Sequence, residues 1–213
     1  SNVQWMEWTF ANSPFNQDIS NWDVGNVEFM TAMFESSAFN QNIGNWDVGN
    51  VVGMEWMFAN SPFNQDIGNW DVSSVSMMPW MFQNATSFDQ DIGGWNVENL
   101  NWSDMMFSGA QLSVANYDSL LIGWSNLNLS PSNNFDAGLS QYCNGESART
   151  YIINTFNWSI SDGGPFSFSD CQISVSMEEV YVNKYLLKTI DILGRERNNN
   201  EGLQLHIYDD GSV

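Results

Sequence analysis

Positive charge is nearly absent from this sequence. Of 213 residues only 5 are Lys or Arg against 25 Asp or Glu, a formal net charge of −20. The first 148 residues hold none of the five cations and sixteen of the acids. Binding to nucleic acid or to an anionic membrane surface needs cations that neutralise phosphates, so both partners are excluded. Salt bridges cannot hold this stretch together either. Packing and the hydrogen bonds of its many Asn, Gln and Ser side chains must do so, and added salt should help by screening. Histidine is as scarce, with His206 alone, and there are two cysteines, Cys143 and Cys171. Ser–His or Cys–His pairs have little material here, and no catalytic role is expected. His206 alternates with Leu205 and Ile207, which reads as an exposed strand position. No apolar run approaches the roughly 18 residues of a membrane span, so direct insertion in a bilayer is not expected.

What the chain has instead is apolar bulk arranged periodically. Hydrophobic residues make up 43%, including 11 Trp, 14 Phe and 11 Met, enough to bury a large core. Four decapeptides align: 15–24 (FNQDISNWDV), 39–48 (FNQNIGNWDV), 63–72 (FNQDIGNWDV) and 88–97 (FDQDIGGWNV), spaced 24, 24 and 25 residues apart. Phe10, Phe34, Phe58, Phe82 and Phe107 carry the same period at the ends of Met-rich or Trp-rich stretches such as VEFMTAMF. A fixed period of this size means units that cannot bury their own apolar faces and stack on their neighbours, an α/β repeat solenoid.

Within a unit, Val27, Met30 and Phe34 fall at i, i+3 and i+7, which predicts a short helix with that face inward. Asn26, Asn50, Ser74 and Asn99 precede successive stretches and read as N-caps. The 15–19 segment reads as a short strand with Phe15, Gln17 and Ile19 on its inner face, so that Gln17, Gln41, Gln65 and Gln90 form a buried amide ladder. Stacked units ~4.8 Å apart turn each repeated residue into a row: Phe15/Phe39/Phe63/Phe88, Ile19/Ile43/Ile67/Ile92 and Trp22/Trp46/Trp70/Trp95.

The FNQDIxNWDV and MFxxxxxFNQ signatures resemble the BspA-like leucine-rich-repeat surface proteins of Bacteroidota and mycoplasma lipoproteins, over residues 1 to about 112. The stretches ANYDSLLIGW (115–124), QYCNGESAR (141–149) and FNWSISDGG (156–164) resemble the capping unit of the same proteins. Val114, Tyr117, Leu121 and Trp124 form one helical stripe there, and Ala148, Ile152 and Phe156 a second, as a cap over the last apolar face requires. From 176 onward the composition changes. Residues 184–193 and 203–208 read as strands, and Asp209-Asp210-Gly211 as a hairpin turn. This tail resembles the C-terminal sorting domain of type IX secretion cargo, whose LGRE and YDDGS elements correspond to 193–196 and 208–212. The expected organisation is 1–112 leucine-rich-repeat-like solenoid, 113–164 cap, 165–176 linker and 177–213 sorting domain, the whole being a window on a longer protein.

The resemblance implies a secreted, cell-surface binding or adhesion module, exported across the outer membrane. The implied partners are the type IX machinery, as an outer-membrane barrel shuttle or the translocon, and an extracellular protein or glycan. Lys184, Lys188, Gly194, Arg195, Glu196, Tyr208, Asp209, Asp210 and Gly211 are the residues implied for the sorting signal. A passive spacer carrying an upstream catalytic or adhesive domain is the alternative. Export to an oxidising compartment permits a Cys143–Cys171 disulfide, with two unrelated thiols as the other reading.

Two further rows bear on function. Asp18, Asn42, Asp66 and Asp91 share one repeat position, and Asp23, Asp47, Asp71 and Asn96 another. Ionised neighbours ~4.8 Å apart repel by about 0.9 kcal/mol even in water, so something must offset the charge. The first row is the candidate Ca²⁺ or ligand face, since Ca²⁺ takes oxygen ligands. The plainer reading, that these side chains accept corner N–H groups, is favoured because no DxDxDG or GGxGxD motif is present. No other cofactor is expected. Trp8, Trp56 and Trp80 share a position with Ala32, either as an exposed row for sugar rings or a protein partner, or as core, the more frequent outcome.

Overall fold

A computed structural model describes residues 2–167, Cys171, and the backbone of 186–191 and 204–208. The chain divides into two compact units, 1–171 and 172–213. In the first, the 24-residue units stack in parallel register through single bridges, Trp5 to Phe29, Phe29 to Gly53, Gly53 to Met77 and Met77 to Trp102. Each bridge leads into a turn-rich stretch with a fixed division of labour. The N–H groups of Met30, Ala32, Phe34 and Ser36 donate to Gly53, Glu55, Met57 and Ala59 of the next unit. Those of Met33, Glu35 and Ser37 instead donate three residues back, to Met30, Ala32 and Phe34. The pattern repeats from Met54 and from Met78.

This alternation explains why the helix expected from Val27, Met30 and Phe34 is absent. Consecutive turns with i→i−3 bonds give nearly the apolar spacing of a helix. Every second N–H, however, is diverted to the neighbouring unit, and φ reaches 53° at Ala32 and 52° at Ser36, outside any right-handed helix. Asn50, Ser74 and Asn99 consequently cap nothing; their side chains donate across units to the carbonyls of Gly25, Gly49 and Ser73.

The 15–19 segment and its equivalents form no strand. At this corner a side chain replaces the backbone as acceptor: Asn16 Oδ1 takes the N–H of Asn40 and the amide of Gln41, and Asn40 Oδ1 does the same for Asn64 and Gln65. The ladder is therefore an Asn–Gln pair rather than a buried Gln row; Gln17 is exposed and Gln41, Gln65 and Gln90 are half-buried. Inside, the two Phe rows interleave. Phe34 stacks on Phe39 of its own unit at 4.0 Å and on Phe58 of the next at 5.7 Å, and Phe39 on Phe63 at 6.2 Å. Trp46, Trp70 and Trp95 are buried, and each indole N–H donates to the carbonyl of Ile19, Ile43 or Ile67 one unit back.

Two helices follow where the two apolar stripes lie, α1 (Val114–Ser125) and α2 (Glu146–Phe156). Between and after them run β1 (Asn134–Asp136) and β2 (Ser159–Ser161), paired parallel, with Phe135 also bridged to Ser103 of the last repeat. Tyr117, Leu120, Leu121 and Trp124 of α1 join the repeat core. Helix and repeat touch backbone to backbone, because a Cβ on Gly123 would collide with the Gly93 carbonyl. Asp118, buried on α1, accepts from the N–H groups of Cys143, Asn144 and Gly145 and so caps α2 from outside. Arg149 pairs with Asp162 at 2.6 Å, and Asp162 also accepts the Tyr117 hydroxyl at 2.8 Å. Burial penalises the Arg149 charge, yet the Asp162 contact outweighs it and leaves the guanidinium pKa raised. Burial, reinforced by Asp162, raises that of Tyr117. Cys143 and Cys171 form a disulfide with Cα atoms 5.5 Å apart.

In the second unit, β3 (Leu186–Asp191) pairs antiparallel with β4 (Gln204–Tyr208), Thr189 facing His206 in register. No helix among the described residues is long and apolar enough to cross a membrane.

Candidate functional site

Every turn stretch contains two residues in the left-handed region, and they are occupied very differently. The second position reads Asn12, Ser36, Asn60, Asn84 and Gly109, with φ of 54°, 52°, 55°, 54° and 75°. Four of the five are Asn or Gly, the residues that tolerate this conformation, so the backbone alone explains the row except at Ser36. The first position reads Trp8, Ala32, Trp56, Trp80 and Met105, with φ of 58°, 53°, 53°, 57° and 55°. A bulky side chain there costs of order 1–3 kcal/mol. Ala32 adopts the same geometry and makes the same inter-unit bond, Ala32 N to Glu55 O, that Trp8, Trp56 and Trp80 make to Thr31, Pro79 and Asp104. The fold therefore does not require an indole at this position.

Nor does the core contain these indoles. Trp8 is 56% exposed and Met105 47%, while Trp56 and Trp80 are half-buried against each other. Their rings lie parallel at 4.4 Å, and Trp102 meets Trp80 edge-on at 5.4 Å. The expectation of core packing for this row is corrected: the left-handed backbone turns the side chain away from the Phe rows that alternate with it. Two hydrogen bonds fix the end of the row, Trp80 Nε1 to Met105 Sδ at 3.1 Å and Trp102 Nε1 to Asp104 Oδ2 at 2.9 Å.

Beyond Met105 the turns give way to β1 and β2, which run straight and carry no left-handed residue. The step leaves a cavity of about 380 Å³ lined by Trp80, Met105, Asp104, Asn134, Asp136 and Ser161 among others. Its polar groups are two carboxylates, the Asn134 carboxamide and small hydroxyls, beside an aromatic wall. Asp104 accepts from Trp102, and Asp136 Oδ1 accepts the N–H of Gly138. A carboxylate offers about four acceptor sites, so both retain capacity.

The row proposed for Ca²⁺ lies elsewhere and is exposed. Asp18, Asn42, Asp66 and Asp91 each accept the N–H two residues on, from Ser20, Gly44, Gly68 and Gly93, all at 2.9 Å. Asp47, Asp71 and Asn96 do likewise toward Gly49, Ser73 and Glu98. These are corner bonds; the N–H of Ser20 holds the Asp18 carboxyl below the usual carboxylate range, and the Ser73 hydroxyl, followed by its N–H, does so for Asp71. No group of three or more metal-ligating side chains occurs among the described residues. Of the residues expected to form a sorting signal, Lys188 falls in β3 and Tyr208 in β4; Lys184, Gly194, Arg195, Glu196, Asp209, Asp210 and Gly211 lie outside the described residues.

The sequence carried one signal of the turns that periodicity alone hides. Asn or Gly at four of five equivalent positions, Asn12, Asn60, Asn84 and Gly109, marks a left-handed turn rather than a helix. The cavity carried no such signal, since it depends on β1 and β2 arriving from 30 and more residues away.

No curated protein and no solved structure matches the chain. Residues 1–120 match the family described as Mycoplasma protein of unknown function, DUF285. With that match running over more than half its length, through all four decapeptides, the chain belongs to the DUF285 family.

Proposed function

We propose that this is a secreted, cell-surface repeat protein that works as a binding module, its stacked units forming a leucine-rich-repeat-like solenoid built of turns. The observation that carries the reading is the outward row at Trp8, Trp56, Trp80 and Met105, large apolar groups held in a strained backbone that Ala32 shows the fold can keep without them. The left-handed backbone recurs in every unit, Ala32 included, so what marks the position is the large apolar side chain held outside the core rather than the strain itself. A stack of repeats adds the lateral extent that recognition of a large surface needs. Binding is favoured over catalysis because both cysteines are committed to the disulfide and the lone histidine is in β4.

The 177–213 segment is the export address in this proposal, a type IX sorting domain read by an outer-membrane shuttle or the translocon. The antiparallel β3–β4 pair supports it, since recognition by strand addition needs strands of this kind in the signal. Deleting 177–213 from the protein in its host is expected to trap it in the cell envelope with the repeats folded. Normal arrival at the surface would contradict the export reading, and failure of the surface-displayed repeats to adhere to any cell or matrix would contradict the binding reading.

A further inference from the structure

We propose that the cavity where the last repeat meets β1 and β2 is a subsite for one or two hexose residues of a neutral glycan, with Trp80 as its stacking wall. The inference rests on the binding-module reading and gives that module its ligand class. A pyranose ring has an apolar C–H face and an equatorial rim of hydroxyls, and so needs an aromatic plane with hydrogen-bond acceptors at its edge. The cavity supplies both. Trp80 is stacked on Trp56 at 4.4 Å and meets Trp102 nearly perpendicularly at 5.4 Å, and its indole N–H is spent on Met105 Sδ, so the ring is held in place before any ligand arrives. Asp104, Asp136 and Asn134 stand around it as acceptors, with Ser161 as a further hydroxyl. A volume of about 380 Å³ lies at the small end of ligand sites, roughly 300–1,000 Å³.

Charge narrows the class. Two carboxylates in the lining and a chain with net charge −20 repel uronates, sialic acids and sulfated sugars, whereas each hydroxyl of a neutral hexose can donate to a carboxylate.

The test titrates the full 213-residue chain with mannotetraose, cellotetraose, laminaritetraose, chitotetraose and a heparin tetrasaccharide, following indole N–H resonances. The expected result is that a neutral tetrasaccharide shifts the Trp80 and Trp102 signals and the heparin fragment does not. Trp80→Ala, placed in a geometry that Ala32 already adopts, should weaken binding about tenfold or more, while Trp22→Ala, exposed in another row, leaves it unchanged. No shift with any neutral tetrasaccharide at about 5 mM, or equal binding by Trp80→Ala, overturns the subsite. Beads carrying each form are tested in parallel on cultured epithelial cells. Adhesion that survives Trp80→Ala overturns the sugar site and leaves the binding module standing; no adhesion by either form overturns the module itself.

Discussion

The repeats and the segment that follows them are stabilised by opposite means. From Met6 to Leu112 the same few contacts recur once per unit: interleaved Phe rings, an indole bonded to a carbonyl one unit back, an Asn side chain standing in for a backbone acceptor. From 113 to 167 each important contact occurs once. Asp118 takes three N–H groups, Arg149 pairs with a 3% exposed Asp162, and a disulfide reaches Cys171. The repeats contain no Lys, Arg, His or Tyr, whereas the capping segment contains the one cation of the first 171 residues and three tyrosines. Repetition lets uncharged contacts accumulate; a terminal segment with no further neighbour depends on a few strong ones.

The sharpest way to break this contrast is to strand a buried charge. Arg149→Met should cost about 3–5 kcal/mol in denaturant melts by leaving the Asp162 carboxylate unpaired beside Tyr117. A loss below about 1 kcal/mol would place the capping segment on the same diffuse footing as the repeats. Reducing the disulfide comes next. With a sequence separation of 28, the bond should contribute about 3.6 kcal/mol through the entropy of the unfolded chain, read as the difference between melts with and without reductant.

Alkali should separate the two regions more gently. The pKa of Tyr117 is raised in the folded state, so its contribution is full below the ordinary phenol value near 10 and is lost progressively as pH rises above it. Amide protection at the α1–α2 contact, taken relative to the base-catalysed intrinsic rate at each pH, should therefore fall above about pH 10, Tyr117→Phe should remove that fall, and the repeats, which have no tyrosine, should keep their protection.

These contacts differ in how visible they were beforehand. The 24-residue period and the Phe and Trp22/46/70/95 rows follow from sequence because each residue is printed several times at one phase. The local conformation did not follow, since turns bonded i→i−3 imitate helical spacing at Val27, Met30 and Phe34 while Ala32 and Ser36 interrupt it. Trp at φ > 0 runs against its own propensity, so no rule of composition places Trp56 outside. Asp118 and Arg149 were silent because their partners, at 143–145 and at 162, become neighbours only through tertiary packing.

The claim that the inward row makes the fold and the outward row serves binding can be tested on two residues of a single turn. Phe58, fully buried between Phe34 and Phe82, and Trp56, half-buried against Trp80, sit two positions apart. Equilibrium denaturation of Phe58→Ala should show a loss of about 3–5 kcal/mol, and that of Trp56→Ala about 1–1.5 kcal/mol, the worth of an aromatic stack at the surface. Equal losses for the two variants would mean that the tryptophan row is part of the core, and the account given for it would be wrong.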